Sequence, residues 1–446
     1  MINVKQNSLN QAAVSRRDFL RSSSLLAAGA AVVSFPSIVQ AQNKQPINAV
    51  VIGLGGRGSG ASSDFREAAK IVGVEGKIVA TADIFPDHAK KGMDMFGLPP
   101  EKCFSGFDAY MKALEVPGVN YAIIATPPGF RPPIVKACIE AGKNVFMEKP
   151  VAADGPGCRM LYAAGELADK KGLKVAAGTQ RRHQAGYIDT IKRIQDGAIG
   201  DIVSLRVYWV NGGPIWHRGE RGATALEKQI YNWYHYIWLS GDHICEQHVH
   251  NLDVANWVMG NQHPIKCWGM GARQQLGDKS GEIWDNFGLE YEYPNGVHMF
   301  AYCGQINRKG SPGVSESVAG TKGTSNPGGN ITVTGGERWR SSLKLDSGSA
   351  YVQEHVDLIR AILNGTPLNE TKTVTDSTLT AIMGREAAYS GDWVEWDAIL
   401  NSKFQYGPAQ LYEDASKLQF GDFRTLRPPM PSKHNILKDP PIFQTV

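Results

Sequence analysis

No C-x-x-C spacing occurs among the six cysteines of this 446-residue chain, Cys103, Cys138, Cys158, Cys245, Cys267 and Cys303. That absence argues against a thiolate metal cage or a disulfide framework and leaves them as small buried residues. Excess charge is missing too. The net charge is +4, but the first 41 residues hold Lys5, Arg16, Arg17 and Arg21 against Asp18, so the remainder is nearly neutral. A near-neutral body gives no reason to invoke nucleic acid or an anionic membrane as a partner. Past residue 41 no long apolar run follows, so nothing there reads as a membrane anchor, and no internal repeat is found. What remains is an ordinary soluble composition, 42% hydrophobic and 20% charged. The length exceeds what one core usually serves, so two domains are expected.

The start of the chain is not ordinary. Ser15-Arg16-Arg17-Asp18-Phe19-Leu20 precedes Ser22–Val39, a stretch without a charged residue, which ends near Val39-Gln40-Ala41. A charged region, an apolar region and small residues at a cut site form the layout of an export signal. The paired arginines select the twin-arginine route. Ser, Gly and Pro36 interrupt the apolar run, which falls short of the ~20 residues of a membrane span. Residues 1–41 are therefore expected to engage the twin-arginine translocase and direct the protein to the periplasm or beyond. That route carries folded passengers, often ones loaded with a cofactor.

From Ile47 apolar strands alternate with helices: Ile47–Gly53, Lys77–Phe85, Asn120–Pro128, Asn144–Pro150 and Leu173–Gln180. Near-continuous apolar strands separated by helices predict a parallel sheet covered on both faces, a doubly wound α/β domain over residues 46–178. A helix near 186–196 follows, and then strands of alternating pattern joined in one place by an Asn295-Gly296 turn. They predict a mainly antiparallel, open sheet to about residue 345, then helices, in an α+β domain spanning 179–400. Residues 401–446 are Pro-rich and are expected to wrap the surface.

Immediately after the first strand stands Gly53-Leu54-Gly55-Gly56-Arg57-Gly58, a G-x-G-x-x-G fingerprint. Its glycines permit a tight turn, a backbone approach to a pyrophosphate and close helix–strand packing. Free N–H groups at the helix start favour the anion. Asp83 ends the next strand, where a carboxylate holds the adenosine ribose hydroxyls; the long interval from the fingerprint predicts an extended first helix or loop. No basic residue directly follows Asp83, which favours NAD, while Arg57 leaves NADP open. Glu148-Lys149-Pro150 ends the fourth strand, at the sheet edge where ligands bind, and its lysine can hydrogen-bond a substrate hydroxyl.

The fingerprint, Thr126-Pro127 after the third of these strands, Glu148-Lys149-Pro150 and the antiparallel sheet domain together resemble the Gfo/Idh/MocA family over essentially the whole mature chain. The resemblance implies a nicotinamide-dependent enzyme acting on a sugar, polyol or glycoside, with Lys149 contacting the reacting hydroxyl and the cofactor ribose. It also implies a catalytic helix at Gly241–Asp253. There His250 falls on the family histidine, Asp253 on the following aspartate, and Glu246 replaces the first aspartate. Glu246, His250 and Asp253 lie at i, i+4 and i+7, one helix face. A neutral histidine can take the hydroxyl proton while a carboxylate stabilises the imidazolium. His248 and His250, two apart, point to nearly opposite sides, which argues against a shared metal ion, and no metal site is expected. Gly129 departs from the family, whose members often carry histidine there.

Gln180, Arg181, Arg182 and His183 follow the last strand of the first domain and are expected to line the substrate cleft. The aromatic residues around Tyr231 and Trp233 suit the apolar faces of a sugar, or serve as core. Tightly held NAD(P), recycled on the protein, is the expected arrangement for an exported enzyme. The alternatives are a redox-neutral glycosidase, a glycoside 3-dehydrogenase and, from another class, a non-catalytic sugar-binding module. A homo-oligomer is a family-based expectation.

Overall fold

Within the first domain every strand is parallel, and the strand order, β3-β2-β1-β4-β5-β6, reverses direction between β1 and β4. The computed structural model describes residues 45–211, 216–305 and 311–438. The expected export segment, residues 1–41, lies outside the described residues. The strands are β1 (Ile47–Ile52), β2 (Gly76–Asp83), β3 (Cys103–Ser105), β4 (Tyr121–Ile124), β5 (Asn144–Met147) and β6 (Val175–Ala177). Ala49, Val50, Val51 and all of β4 are buried because helices cover both faces, which is why these strands read as unbroken apolar runs. β3 was not expected. Three residues, two of them only half buried, leave no periodic signal, and pairing with β2 alone makes Cys103–Ser105 a strand.

Helix α1 (Gly56–Val72) supplies the extended element expected between the fingerprint and Asp83, and Gly73 stops it in the left-handed conformation at φ 73°. Because the strand order reverses between β1 and β4, the loops at their carboxyl ends diverge and open a crevice there. Gly53, Thr126, Asp83 and Lys149 all fall on that edge of the sheet.

The second sheet has nine strands in the order β14-β13-β12-β11-β7-β10-β9-β8-β15. Its centre is β7 (Ile202–Val210), β8 (Lys266–Ala272), β9 (Asn286–Glu292) and β10 (His298–Gly304). Outside these lie β11 (Val314–Gly320), β12 (Gly323–Asn326), β13 (Asn330–Val333), β14 (Arg338–Arg340) and β15 (Val394–Glu395). Every pairing is antiparallel except β7 with β10. Phe287, Leu289 and Tyr291, with Met299, Ala301 and Cys303, alternate inward, while Tyr302 and Glu290 face out, as one covered face requires. Asn295-Gly296 turns the β9–β10 hairpin, with Gly296 at φ 76°.

After the second sheet the chain returns to the first domain. Helix α2 (Ala350–Asn364) buries Val352, Val356, Leu358 and Ile359 against Ala49, Phe65, Tyr121 and Phe146. The sequence reading grouped this helix with the second domain, because its amphipathic pattern shows that one face is buried but not against what. Helix α3 (Thr371–Ser390) is buried along nearly its full length, with Asn256 bonded to Thr380 and Val151 N to Thr378. The Pro-rich tail does more than wrap. Phe404, Tyr406, Leu411, Leu418 and Phe423 are buried, and Pro429 O accepts from the Trp284 indole.

Candidate active site

A cleft of about 390 Å³ opens at the carboxyl ends of β1, β2, β4 and β5 and is closed on its far side by residues of the second domain. The fingerprint turn forms its floor. Gly53 lies at φ 88°, and a Cβ there would sit 2.8 Å from Thr126 N; a Cβ on Gly58 would sit 1.9 Å from Gly53 O. Those two glycines serve the close approach of β1, β4 and α1. Gly55 and Gly56 are different: a Cβ on either meets nothing within 4 Å. The open space lies at the start of α1, whose first turn has no side-chain cap and no acidic residue. Unspent N–H groups, the positive end of the helix dipole and room for phosphates together fit a dinucleotide.

Asp83 is fixed from two sides, Oδ2 accepting from Leu54 N and Oδ1 from Phe85 N, both at 2.9 Å. Each oxygen keeps a lone pair for a ribose hydroxyl. Arg57 turns to carboxylates instead. Its Nε donates to Glu148 at 2.5 Å and a terminal nitrogen to Asp64 at 3.1 Å, and Tyr351 lies beneath it at 5.0 Å. Burial opposes the Arg57 charge, but Glu148 outweighs it and raises the guanidinium pKa further.

Lys149 crosses the cleft to the second domain. Its Nζ donates to the main-chain oxygen of Glu246 at 2.6 Å and lies 3.4 Å from the Glu246 carboxylate. Glu246 sits in a π-helical turn, Ile244–His248, that leads into the helix Val249–Val258; such turns concentrate at functional sites. Burial pushes the Glu246 carboxyl up, against the pull of Lys149 and Arg131. His250 shares the cleft, stacked on Trp209 at 5.8 Å, with Nδ1 buried and without a hydrogen bond among the described residues. Burial, then the charges of Lys149 and Arg181, hold the imidazole well below its ordinary pKa, so it is neutral. His248 points the other way into the core, and burial drops its pKa to about 3.

The remaining expected residues divide. Thr126, Pro127, Glu148 and Trp233 line the cleft. Arg181, Arg182, His183, Tyr231 and Asp253 do not. Arg182 grips Asp253 with three hydrogen bonds of 2.8–3.0 Å, and Ser377 donates to the same carboxylate. Arg181 pairs with Glu316, and His183 stands between Asp357 at 2.7 Å and Glu370 at 3.0 Å. Tyr231 lies under Arg221 at 5.1 Å. His250 and Asp253 share one regular helix, so their spacing is as expected; what the spacing did not include is the buried Arg182, which draws Asp253 away from the cleft.

Two family models match this chain. The one described as "Oxidoreductase family, NAD-binding Rossmann fold" covers residues 47–179, and "GFO/IDH/MocA C-terminal domain" covers residues 188–326. The chain belongs to the GFO/IDH/MocA oxidoreductase family. Its first domain is the NAD(P)-binding one. Inositol 2-dehydrogenase of Gluconacetobacter diazotrophicus is 26% identical over 216 residues, which are 48% of this chain and 56% of that enzyme. The chain spans about half the length of the curated relatives it matches. Among solved structures, aldose–aldose oxidoreductase from Caulobacter crescentus, complexed with glycerol, superposes with a TM-score of 0.62 at 20% identity, over 78% of this chain and 99% of that one. Scyllo-inositol dehydrogenase from Lactobacillus casei, with bound NAD(H) and scyllo-inositol, gives 0.60 at 21%, over 79% and 99%. These likenesses show a shared fold.

Within the GFO/IDH/MocA frame, one departure has a steric reason. A Cβ on Gly129 would lie 2.2 Å from Trp238 O, so no side chain fits where the family often has histidine. Sequence reasoning missed Gln247, Arg218 and Tyr351 as cleft residues and gave Arg131 no role. Gln247 adjoins the motif and was within reach. Arg218 and Tyr351 carry no local signal, because the chain brings them back from other elements.

Proposed function

We propose that the protein is an NAD(P)-dependent oxidoreductase that moves hydride between a carbohydrate or polyol hydroxyl and the nicotinamide. One observation carries the reading: Lys149, held on Glu246, and the neutral His250 line the same cleft as the open glycine turn. When bound, the dinucleotide supplies the hydride acceptor. The Lys149 ammonium has three donors, and with two directed at Glu246 the third is left for a substrate oxygen. His250 accepts the hydroxyl proton as the carbon gives up hydride, so the C–OH group loses one proton and one hydride and becomes a carbonyl. Trp209 and Trp233 offer flat apolar walls suited to the C–H face of a ring polyol. The names of the relatives, inositol dehydrogenases among them, support that substrate class.

The finer reading adds location and turnover. The Ser15–Arg21 motif directs the folded enzyme through the twin-arginine translocase to the periplasm or outside, where free NAD is scarce. The cofactor is therefore held through many cycles and reset in place by a second sugar. The test uses the purified mature protein: acid release identifies bound nucleotide, and a sugar, polyol and glycoside panel is followed by absorbance of the reduced nicotinamide. Near-stoichiometric dinucleotide, reduced by one sugar and reoxidised by another, is expected. A cleaved glycoside with no lasting absorbance change would replace net oxidation by redox-neutral elimination. A protein that neither carries nor takes up a dinucleotide would overturn the assignment.

A further inference from the structure

One stretch of the second domain reaches across the cofactor end of the first. Residues 216–224 are tied to their own domain at three points. Trp216 O accepts from His235 Nε2 at 2.7 Å, Arg218 N donates to Asn232 Oδ1 at 2.9 Å, and Asn232 Nδ2 returns a bond to Gly219 O at 2.9 Å. The far end is tied to the first domain. Arg221 makes a two-pronged pair with Asp87, at 2.6 and 3.0 Å, and its guanidinium lies 4.8 Å from the Phe85 ring centroid and 5.1 Å from that of Tyr231. Phe85 and Asp87 stand two and four residues after Asp83, at the cap and first turn of the helix Pro86–Phe96, so the anchor adjoins the ribose carboxylate.

Between the two anchors is Arg218. Its side chain lines the cleft together with Asp83, Phe85 and His88. It rests on the Trp216 ring at 4.4 Å and makes no hydrogen bond or ion pair to a carboxylate among the described residues. It differs in this from Arg57, which is spent on Glu148 and Asp64, and from Arg131, which donates to Pro150 O. Arg218 is thus a cation with unspent donors at the adenosine end of the cleft, and its backbone is fixed on both sides. Such a group is matched to the phosphate and ribose oxygens of a dinucleotide.

We propose that Arg218 is a dinucleotide-binding residue supplied by the second domain, and that the 216–224 segment, latched by Arg221 to Asp87, closes over the adenosine half of the cofactor and slows its escape. The inference rests on the dinucleotide reading above and deepens it. Binding from both domains means that the cofactor leaves only when the latch opens. The Arg221–Asp87 pair is exposed, at 34% and 55% for the two side chains, so it is weak enough to open and to be screened by salt.

The test measures binding, not turnover. ADP-ribose, the dinucleotide without its nicotinamide ring and so with the adenosine half intact, and nicotinamide mononucleotide, which lacks that half, are titrated against wild type, Arg218→Ala, Arg218→Gln and Arg221→Ala, with the melting temperature of each ligand-free variant as the folding control. Expected is a loss of about tenfold or more in ADP-ribose affinity for both Arg218 variants, the size of one charge-assisted hydrogen bond. Nicotinamide mononucleotide should be unaffected. Arg221→Ala should raise the NAD dissociation rate severalfold, and high salt should do the same to wild type only. ADP-ribose affinity within twofold of wild type in a folded Arg218 variant would overturn the inference while leaving the dinucleotide reading intact. Wild type failing to bind ADP-ribose or NAD at all would instead overturn the reading beneath it.

Discussion

Lys149 Nζ lies 2.6 Å from the main-chain oxygen of Glu246 and 3.4 Å from its carboxylate, so the lysine at the end of β5 is held by the π turn of the second domain. The two contacts make separable demands. Lys149→Ala removes both the contact and the charge and is expected to lower kcat by about 10²–10³-fold, as for loss of one preorganised donor at the reacting oxygen. Lys149→Arg should not restore it, since a planar fork cannot stand in for a compact ammonium. Glu246→Gln keeps the main-chain bond and should cost far less than Lys149→Ala. Steady-state kinetics on the best polyol decides the ranking, and equal losses in the two variants would contradict it.

The glycine turn predicts two opposite phenotypes. Gly55 has an ordinary backbone, φ −78°, and empty space where a Cβ would go. Gly55→Ala should therefore melt near the wild-type temperature yet bind NAD many-fold more weakly, because the methyl enters the pyrophosphate's space. Gly58→Ala places its Cβ on Gly53 O and should destabilise the fold itself. Thermal melting with and without NAD separates the two, and a stable, tightly binding Gly55→Ala would argue against phosphates on this turn.

His250 sets an expectation for pH. Its pKa is depressed, so the neutral form, the one able to accept a proton, persists to well below pH 6.5. The acid limb of kcat should accordingly show no inflection near the ordinary histidine value. His250→Gln should lower kcat by roughly 10²–10⁴-fold while leaving the NAD dissociation constant nearly unchanged. A wild-type profile falling tenfold per pH unit below 6.5 would mean that the histidine is solvated and does not act as described.

His183 predicts the reverse in stability. Burial works against its charge, but Glu370 and Asp357 prevail and raise its pKa well above the ordinary value. A raised histidine contributes stability that is fully present below its unfolded pKa, about 6.5, and is lost as pH rises through the folded value. Urea unfolding of wild type and His183→Gln should differ most near pH 6 and converge on the alkaline side. A gap that widens with pH would contradict the ion-paired imidazolium.

The cofactor half of the site was legible because its chemistry is local. A tight turn, a helix start and a strand end lie close together in the chain, so Gly53 and Asp83 could be placed at the cleft from spacing, while Lys149 needed the family resemblance as well. The substrate half was less so. Arg182 and His183 carry charges that a cleft could use, yet Asp253, Asp357 and Glu370 come from other helices and pair with them in the interior. Counterions distant in sequence leave no mark in a local pattern.

By itself the sequence determined a parallel α/β domain followed by an alternating sheet domain, since the period and continuity of apolar residues record which faces are buried. It also determined the dinucleotide fingerprint, since glycine at Gly53 and Gly58 answers to backbone contacts close in the chain or between neighbouring strands. Only the tertiary structure decided that helix α2 returns to the first domain, that Gly129 has no room beside Trp238, and that Arg218 reaches the cofactor end of the cleft. Each of these depends on a contact between segments far apart in the chain, and such contacts are set by packing and not by the residues on either side.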